Sequence, residues 1–174
     1  MSGEPDRPAW EFHVVLRQAT EADQPVIRQL VHQAGINPLG LNWRRFTLAQ
    51  DECGRIVGCG QLKPHRDGVV ELASVAVEES RRGQGIGRRL IEGLIERGPD
   101  ELWLMCRSSL APLYQGFGFA QVESPAAMPT YFRRVRGLAG LIHNLARTNE
   151  YLSVMRRGSS PGTTTRQDYG ATKS

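Results

Sequence analysis

From residue 12 to residue 18, apolar and polar side chains alternate and branched residues are frequent, which predicts a first β-strand. Thr20 offers a helix N-cap, with Glu21 and Asp23 as an acidic first turn. Val26, Ile27, Leu30 and Val31 then recur at helical spacing as far as Gly35. Residues 37–45, with Pro38 and Gly40, fit neither period and read as an irregular or short helical connection. Residues 46–50, 55–64 and 69–77 read as three strands of an antiparallel meander, with turns at 51–54 and 65–68. The last of the three is apolar on both faces, which places it centrally in a sheet. With the turn at 65–68, Lys63 falls opposite Val70 and points away from Glu71.

Residues 78–82 form a polar crossing. From 85 to 97, Ile86, Leu90, Ile91, Leu94 and Ile95 share one helical face, and Gly98-Pro99 stops the helix. Residues 102–106 are a short buried strand, parallel to the preceding one if the helix is a crossover. A short helix at 110–115 and the start of another strand at 119–123 follow. Residues 131–145 have helical character but carry Gly137 and Gly140, which leaves room for a break, and 151–157 read as a last strand. The fold class is α/β (α+β): a mixed central sheet, in which an antiparallel meander is followed by a crossover helix to a parallel strand, with helices on both faces. Residues 1–10 read as a flexible N-terminus, 11–157 as one domain, and the Ser/Thr/Gly-rich 158–174 as a disordered tail.

A chain of 174 residues suits a single domain with an ordinary core. It has no apolar run long enough to span a membrane, and its N-terminus lacks the apolar core of a secretory signal. Three cysteines, with no CxxC or Cys/His cluster, point to reduced thiols in a cytoplasm; neither a disulfide framework nor a metal site is expected. Cys59 and Cys106 lie in apolar stretches and read as small core residues. The net charge of +4 suits a polyanionic small ligand without invoking a nucleic acid.

The chemistry concentrates after the central strand. A buried strand ends at Val77, and Gly83, Gly85 and Gly87 open an amphipathic helix bracketed by Arg81, Arg82, Arg88 and Arg89. Free N–H groups at a helix start, a partial positive charge and glycines that admit close approach make an anion site. The spacing is not that of a Rossmann fingerprint, because Arg88 stands where its last glycine belongs. It is not a P-loop either, because no Gly-Lys-Ser/Thr follows.

Arg82-Gly83-Gln84-Gly85-Ile86-Gly87 resembles the Gln/Arg-x-x-Gly-x-Gly/Ala signature of the GNAT acetyltransferase superfamily. Tyr114-Gln115-Gly116-Phe117-Gly118-Phe119 resembles its downstream Tyr-x-x-x-Gly-Phe segment, and the order of elements matches from about residue 12 to residue 157. The resemblance implies an N-acetyltransferase that moves the acetyl group of acetyl-CoA to a primary amine of a small molecule or a protein, by direct attack in a ternary complex. It implies that Arg82, Gly83, Gln84, Gly85, Ile86, Gly87 and Arg88 cradle the pyrophosphate. It also implies that the fourth strand splays from the fifth, so that the backbone of Val75, Ala76 and Val77 pairs with the pantetheine arm. Many members have Asn seven residues before the Tyr; here Arg107 stands there, able to reach a phosphate or a carboxylate, or to point to solvent. A non-catalytic acyl-CoA sensor is the alternative, and the protein is a monomer or a homodimer.

Acetyl transfer needs a neutral amine, a stabilised oxyanion and a protonated leaving thiolate. Tyr114 is the candidate acid, by its place in the motif; otherwise it packs beside Phe117 and Phe119. Glu71 is the candidate base. It is the only charged residue between Val69 and Val77, and an isolated buried carboxylate has a raised pKa. Otherwise it belongs to a structural ion pair. The acceptor is not legible. Residues 124–149 are long and basic, with Arg133, Arg134, Arg136, His143 and Arg147 beside Tyr131 and Phe132, and suit either a substrate lid for an anionic acceptor or a surface insertion.

Overall fold

A computed structural model describes residues 13–146 and 150–158. The expected N-terminal segment 1–10 and the tail beyond residue 158 lie outside the described residues. The elements are β1 (Val15–Gln18), α1 (Gln24–Gln33), β2 (Phe46–Gln50), β3 (Ile56–Pro64), β4 (Val70–Val77), α2 (Ile86–Arg97), β5 (Leu102–Arg107), α3 (Ala111–Gln115), β6 (Ala120–Gln121), α4 (Thr130–Ala146) and β7 (Leu152–Arg157). They build a seven-stranded mixed sheet in the order β1-β2-β3-β4-β5-β7-β6. Neighbouring strands are antiparallel except β4 and β5, which the α2 crossover makes parallel.

The sheet separates two pairs of helices. On one face, Ile91 and Leu94 of α2 pack with Leu72, Leu102 and Leu104, and Tyr114 of α3 joins them. On the other, Ile27, Leu30 and Val31 of α1 cover Phe46, Leu48 and Cys59, while Phe132 of α4 packs on Trp103 and Val154. The α2 helix sits close to β3. A Cβ added at Gly60 would stand 2.8 Å from Leu94 Cδ1, so the glycine is what permits that contact. Among the described residues no helix is long and apolar enough to cross a membrane.

Three expectations change. The hairpin between β3 and β4 closes with His65 N–H donating to Val69 O at 2.8 Å, around a three-residue loop with Gly68 at φ +80°. That loop is one residue longer in phase than a turn confined to 65–68. Lys63 therefore stands opposite Glu71, not Val70. The α4 helix runs unbroken through Gly137 and Gly140. Glycine costs a helix about 1 kcal/mol per residue relative to Ala, and full burial of Phe132 offsets that. Finally, the strand expected at 119–123 is only the two-residue β6 at the sheet edge.

The entry to α1 is fixed by a partly buried polar knot. Asp23 accepts two hydrogen bonds from Arg17, both at 2.8 Å, and others from Thr20 N–H and Oγ1 at 2.7 and 2.8 Å. The Arg17 bonds first, then those of Thr20, hold the Asp23 carboxyl far below the usual carboxylate range in spite of its burial. A depressed folded pKa adds stability above the unfolded value that is lost as pH falls through the folded one. Asp23→Ala should cost about 2 kcal/mol, because it leaves Arg17 and the Thr20 donor unmatched. Urea unfolding at pH 7 checks this, and the gap between the two proteins should narrow in strong acid.

Candidate active site

β4 and β5 pair at one position only, Glu71 opposite Trp103. Beyond it the strands diverge, while the other edge of β4 stays paired with β3 as far as Val77 opposite Gly58. The β5-facing edge of residues 72–77 is thus open among the described residues, and open strand edges take extended partners. A cleft of about 640 Å³ fills the divergence. It is walled by β4 from Glu71 to Val77, the end of β5, Tyr114 of α3, the loop after α1 and Tyr131 of α4, and Arg82 stands at one end.

A bulge adjusts which β4 residues face the cleft. Cys59 pairs with Ala76 and Gln61 with Ala73, so Gly60 alone opposes both Ser74 and Val75. Ser74 takes up the extra residue at φ 55°, a left-handed conformation rare outside glycine. Its Oγ accepts a hydrogen bond from the buried Gln61 Nε2 at 3.0 Å. The bulge also resets the alternation, so that Ala76 joins the α1 side of the core.

Glu71 is buried and not isolated. Its Oε2 lies 2.8 Å from His65 Nε2, and both side chains are more than nine-tenths buried. Burial pushes the carboxyl above its ordinary value, while His65 and, more weakly, Lys63 pull it back. The His65 ring lies 4.0 Å from that of Tyr131 and edge-on to Phe132 at 5.6 Å, so the turn and α4 clamp the pair. The turn that set the wrong expectation for Lys63 thereby supplies the carboxylate's partner. His65 was missed because a histidine in a polar turn carries no local sign that it folds inward.

Tyr114 lines the same cleft at the first turns of α3. Its ring meets Phe119 edge-on at 6.1 Å, whereas Phe117 lies under Arg88. Burial raises the phenol to about 12, with a smaller contribution from Cys106. Among the described residues its hydroxyl makes no hydrogen bond, so the proton is free for a ligand.

The glycine loop has the geometry that anion binding requires. Gly83 and Gly85 adopt φ +77° and +78°, and a Cβ on either would meet nothing within 4 Å. Gly85 caps α2 in the left-handed region. The first helical bond is Arg89 N–H to Gly85 O at 3.0 Å, which leaves the N–H groups of Ile86, Gly87 and Arg88 without helical acceptors. The Ile86 side chain is buried and anchors the loop, so only its backbone faces outward. Arg82 Nε reaches back to Val77 O at 3.4 Å, joining the loop to the open edge. Gln84 donates to Ser80 O at 3.5 Å, and Arg88 is exposed beside Glu92.

The fold narrows the alternatives that the sequence left open for two arginines. Arg107 lines the cleft but is largely exposed and faces Glu150 at 3.9 Å. Arg136 donates to Glu123 O at 2.9 Å and ties α4 to the loop before it, while Arg133 is exposed. The basic segment therefore contributes Tyr131 and Val135 to the cleft, not arginines. The side chain of His143 and residue Arg147 lie outside the described set. Cys59 and Cys106 are buried and Cys53 is exposed, all three free. Among the described residues no cluster of His, Cys, Asp and Glu has the makings of a metal site.

Residues 10–119 match the model of the acetyltransferase (GNAT) family. The chain belongs to that family. Over 95 residues it is 40% identical to the mycothiol acetyltransferase of Rhodococcus jostii, which covers 53% of this chain and 30% of that protein. Over 96 residues it is 33% identical to the amino-acid acetyltransferase of Mycobacterium tuberculosis, covering 49% of this chain and 55% of that one. The chain thus spans about a third to a half of these relatives' length. Among solved structures, it resembles Rv2747 from Mycobacterium tuberculosis in complex with CoA (TM-score 0.63, 22% identity, 84% of this chain and 99% of that one). It also resembles the N-acetylglutamate synthase of Neisseria gonorrhoeae complexed with coenzyme A and N-acetyl-glutamate (TM-score 0.62, 22% identity, 84% and 36%). At that identity the likeness is one of fold, and the GNAT fold is what the seven-stranded sheet displays.

The glycine loop of this GNAT chain yields a direct test. A side chain at Gly85 forces a left-handed residue, which costs roughly 1–2 kcal/mol, and projects into the open space above the helix start. Gly85→Val should weaken coenzyme A binding at least about tenfold, a loss of 1.4 kcal/mol or more. Calorimetry reads it, with circular dichroism to establish that the variant is folded.

Proposed function

We propose that the chain is an acetyl-CoA-dependent N-acetyltransferase acting on a primary amine by direct attack in a ternary complex. The observation that carries this reading is a single cleft holding Glu71, Tyr114 and the open edge of β4, with the glycine loop adjoining it. The relatives support an amine acceptor, and the mycothiol and amino-acid acetyltransferases favour a small molecule. Three free cysteines fit a reducing, cytoplasmic setting.

The open N–H groups at the start of α2, with Arg82 and Arg88, hold the pyrophosphate of coenzyme A. The unpaired edge of Val75, Ala76 and Val77 holds the pantetheine arm as a neighbouring strand would. Acetyl-CoA supplies the activated acyl group and a thiolate leaving group. Glu71 takes the proton of the acceptor ammonium, directly or through water. His65 engages Oε2 and leaves the second oxygen to the cleft. Tyr114 keeps its proton at any physiological pH, because burial raises its pKa, and so is a donor to the departing sulfur.

A base must be ionised to act. The raised pKa of Glu71 places the acidic limb of kcat/KM above the ordinary glutamate range, with activity falling as pH falls through it. Glu71→Gln should remove that limb and lower kcat/KM about 100-fold, at the low end of what general base catalysis contributes, while coenzyme A affinity stays. Wild-type kcat/KM across the acidic limb in the variant would refute the base.

Tyr114→Phe keeps the ring and its contact with Phe119 and loses only the proton donor. Turnover should drop about 100-fold with unchanged KM for acetyl-CoA, as measured by thiol release under conditions where chemistry limits the rate. Unaltered turnover would remove Tyr114 as the acid.

A further inference from the structure

The cleft carries a second fixed charge beside Glu71. Lys63 of β3 stands directly across from Glu71, and directly opposed antiparallel residues have Cβ atoms about 5 Å apart on one face. The two do not form a close ion pair, since His65 occupies the carboxylate. Lys63 Nζ lies instead 5.5 Å from the centroid of the Tyr131 ring. On its other side, Nζ and Cε lie 3.3 Å from where a Cβ on Gly40 would stand. Gly40 has φ +77°, and its missing side chain lets the loop after α1 close over the lysine. Three elements thus hold the ammonium in the cleft wall, and among the described residues no carboxylate pairs with it within 4.0 Å.

The charges of the cleft sort by place. Its charged lining is Lys63, Glu71, Arg82 and Arg107. Arg82 adjoins the glycine loop through Val77, and Arg107 faces Glu150. Lys63 is the cation that remains next to the proposed base. One carboxylate and one ammonium on directly opposed strand positions, too far apart to pair with each other, complement a ligand that carries the opposite pair of charges. A phosphate would leave a charge unmet against a single lysine. A protein lysine or a peptide N-terminus would leave Lys63 unmatched, because neither has a carboxylate beside the amine.

We propose that the acceptor is an amino-acid-like zwitterion, its amine at Glu71 and its carboxylate on Lys63, with Leu39, Tyr131 and Val135 receiving its side chain. The proposal rests on the acetyltransferase reading and names the substrate class for the same cleft. Lys63 is then a specificity-determining residue: it acts through binding of the acceptor and has no part in the proton transfer.

The test compares matched acceptors. Initial rates of thiol release from acetyl-CoA are measured with a panel of L-amino acids, with the corresponding L-amino-acid amides, and with short peptides. The amine of an amide is the weaker base and is more often neutral, so intrinsic reactivity favours the amides and a preference for the acids must come from the site. The wild type should favour at least one acid over its amide by tenfold or more in kcat/KM. Lys63→Met should erase that preference through the KM of the acid, with the KM of acetyl-CoA unchanged, and Lys63→Arg should restore most of it. Amides or peptides used as well as the acids by the wild type overturn the proposal and leave the acetyltransferase intact. A preference that survives in Lys63→Met also overturns it. Should Lys63→Met not fold, the wild-type comparison and Lys63→Arg decide. Thiol release with no amine of any series overturns the acetyltransferase reading and this proposal together.

Discussion

The single pairing between β4 and β5 is the constraint from which the rest of the molecule follows. A parallel sheet ordinarily continues its ladder along both strands, and here it stops after Glu71 and Trp103. Among the described residues, stopping leaves a row of backbone donors and acceptors on β4 without protein partners, and such groups are costly unless water or a ligand meets them. Closure at one end is held from the other face. Trp103 packs on Phe132 at 5.5 Å, lies near the Arg156 guanidinium and donates its indole N–H to Glu101 at 2.8 Å. The α4 helix therefore pins the apex of the divergence and at the same time delivers Tyr131 to the cleft. Packing and site are not separable at this point of the fold.

The buried charges near the apex follow a consistent economy. An unpaired carboxylate at the Glu71 position would be strongly destabilising, and His65 relieves it with a titratable partner rather than an arginine. An arginine would hold the carboxylate permanently charged and depress its basicity. A histidine satisfies the geometry and leaves the proton affinity high. Lys63, held by an aromatic face and a close backbone, contributes charge to the cleft and lowers the proton affinity of Glu71 less than His65 does.

Much of this was legible in the sequence, for reasons that can be traced to particular residues. The strands β2, β3 and β4 and the helix α2 carry strong periodicity and clear punctuation by Gly54, Gly68 and Gly98, so their order was readable. Gly83 and Gly85 take positive φ, a conformation open to glycine, in the loop that the sequence marked as an anion site. What could not be read depends on phase and on distant packing. The register of the β3–β4 hairpin turns on whether its loop closes at Gly68 or Val69, a difference of one residue that composition does not encode. The bulge at Ser74 lies opposite Gly60, which packs closely on Leu94 of α2, and the serine itself gives no local sign of it. His65 and Tyr131 meet only because α4 returns to the sheet across more than sixty residues of chain. The basic residues of 124–149 left two readings open for a similar reason: Arg136 meets the carbonyls of its own connection only once the chain is folded.

The three-residue loop at 66–68 has a further meaning. Side chains of a strand alternate between faces, so the residue at which the hairpin closes fixes the face of every residue beyond it. Were the same chain to close at Gly68 instead of Val69, Glu71 would stand opposite Leu62 and turn toward the leucines of α2, and Val70 and Leu72 would face the cleft. The polarity of this end of the cleft is therefore set by the pairing of His65 with Val69 as much as by the identity of the strand residues. A slip of one residue in that pairing would exchange a charged wall for an apolar one without altering a single side chain in the strand.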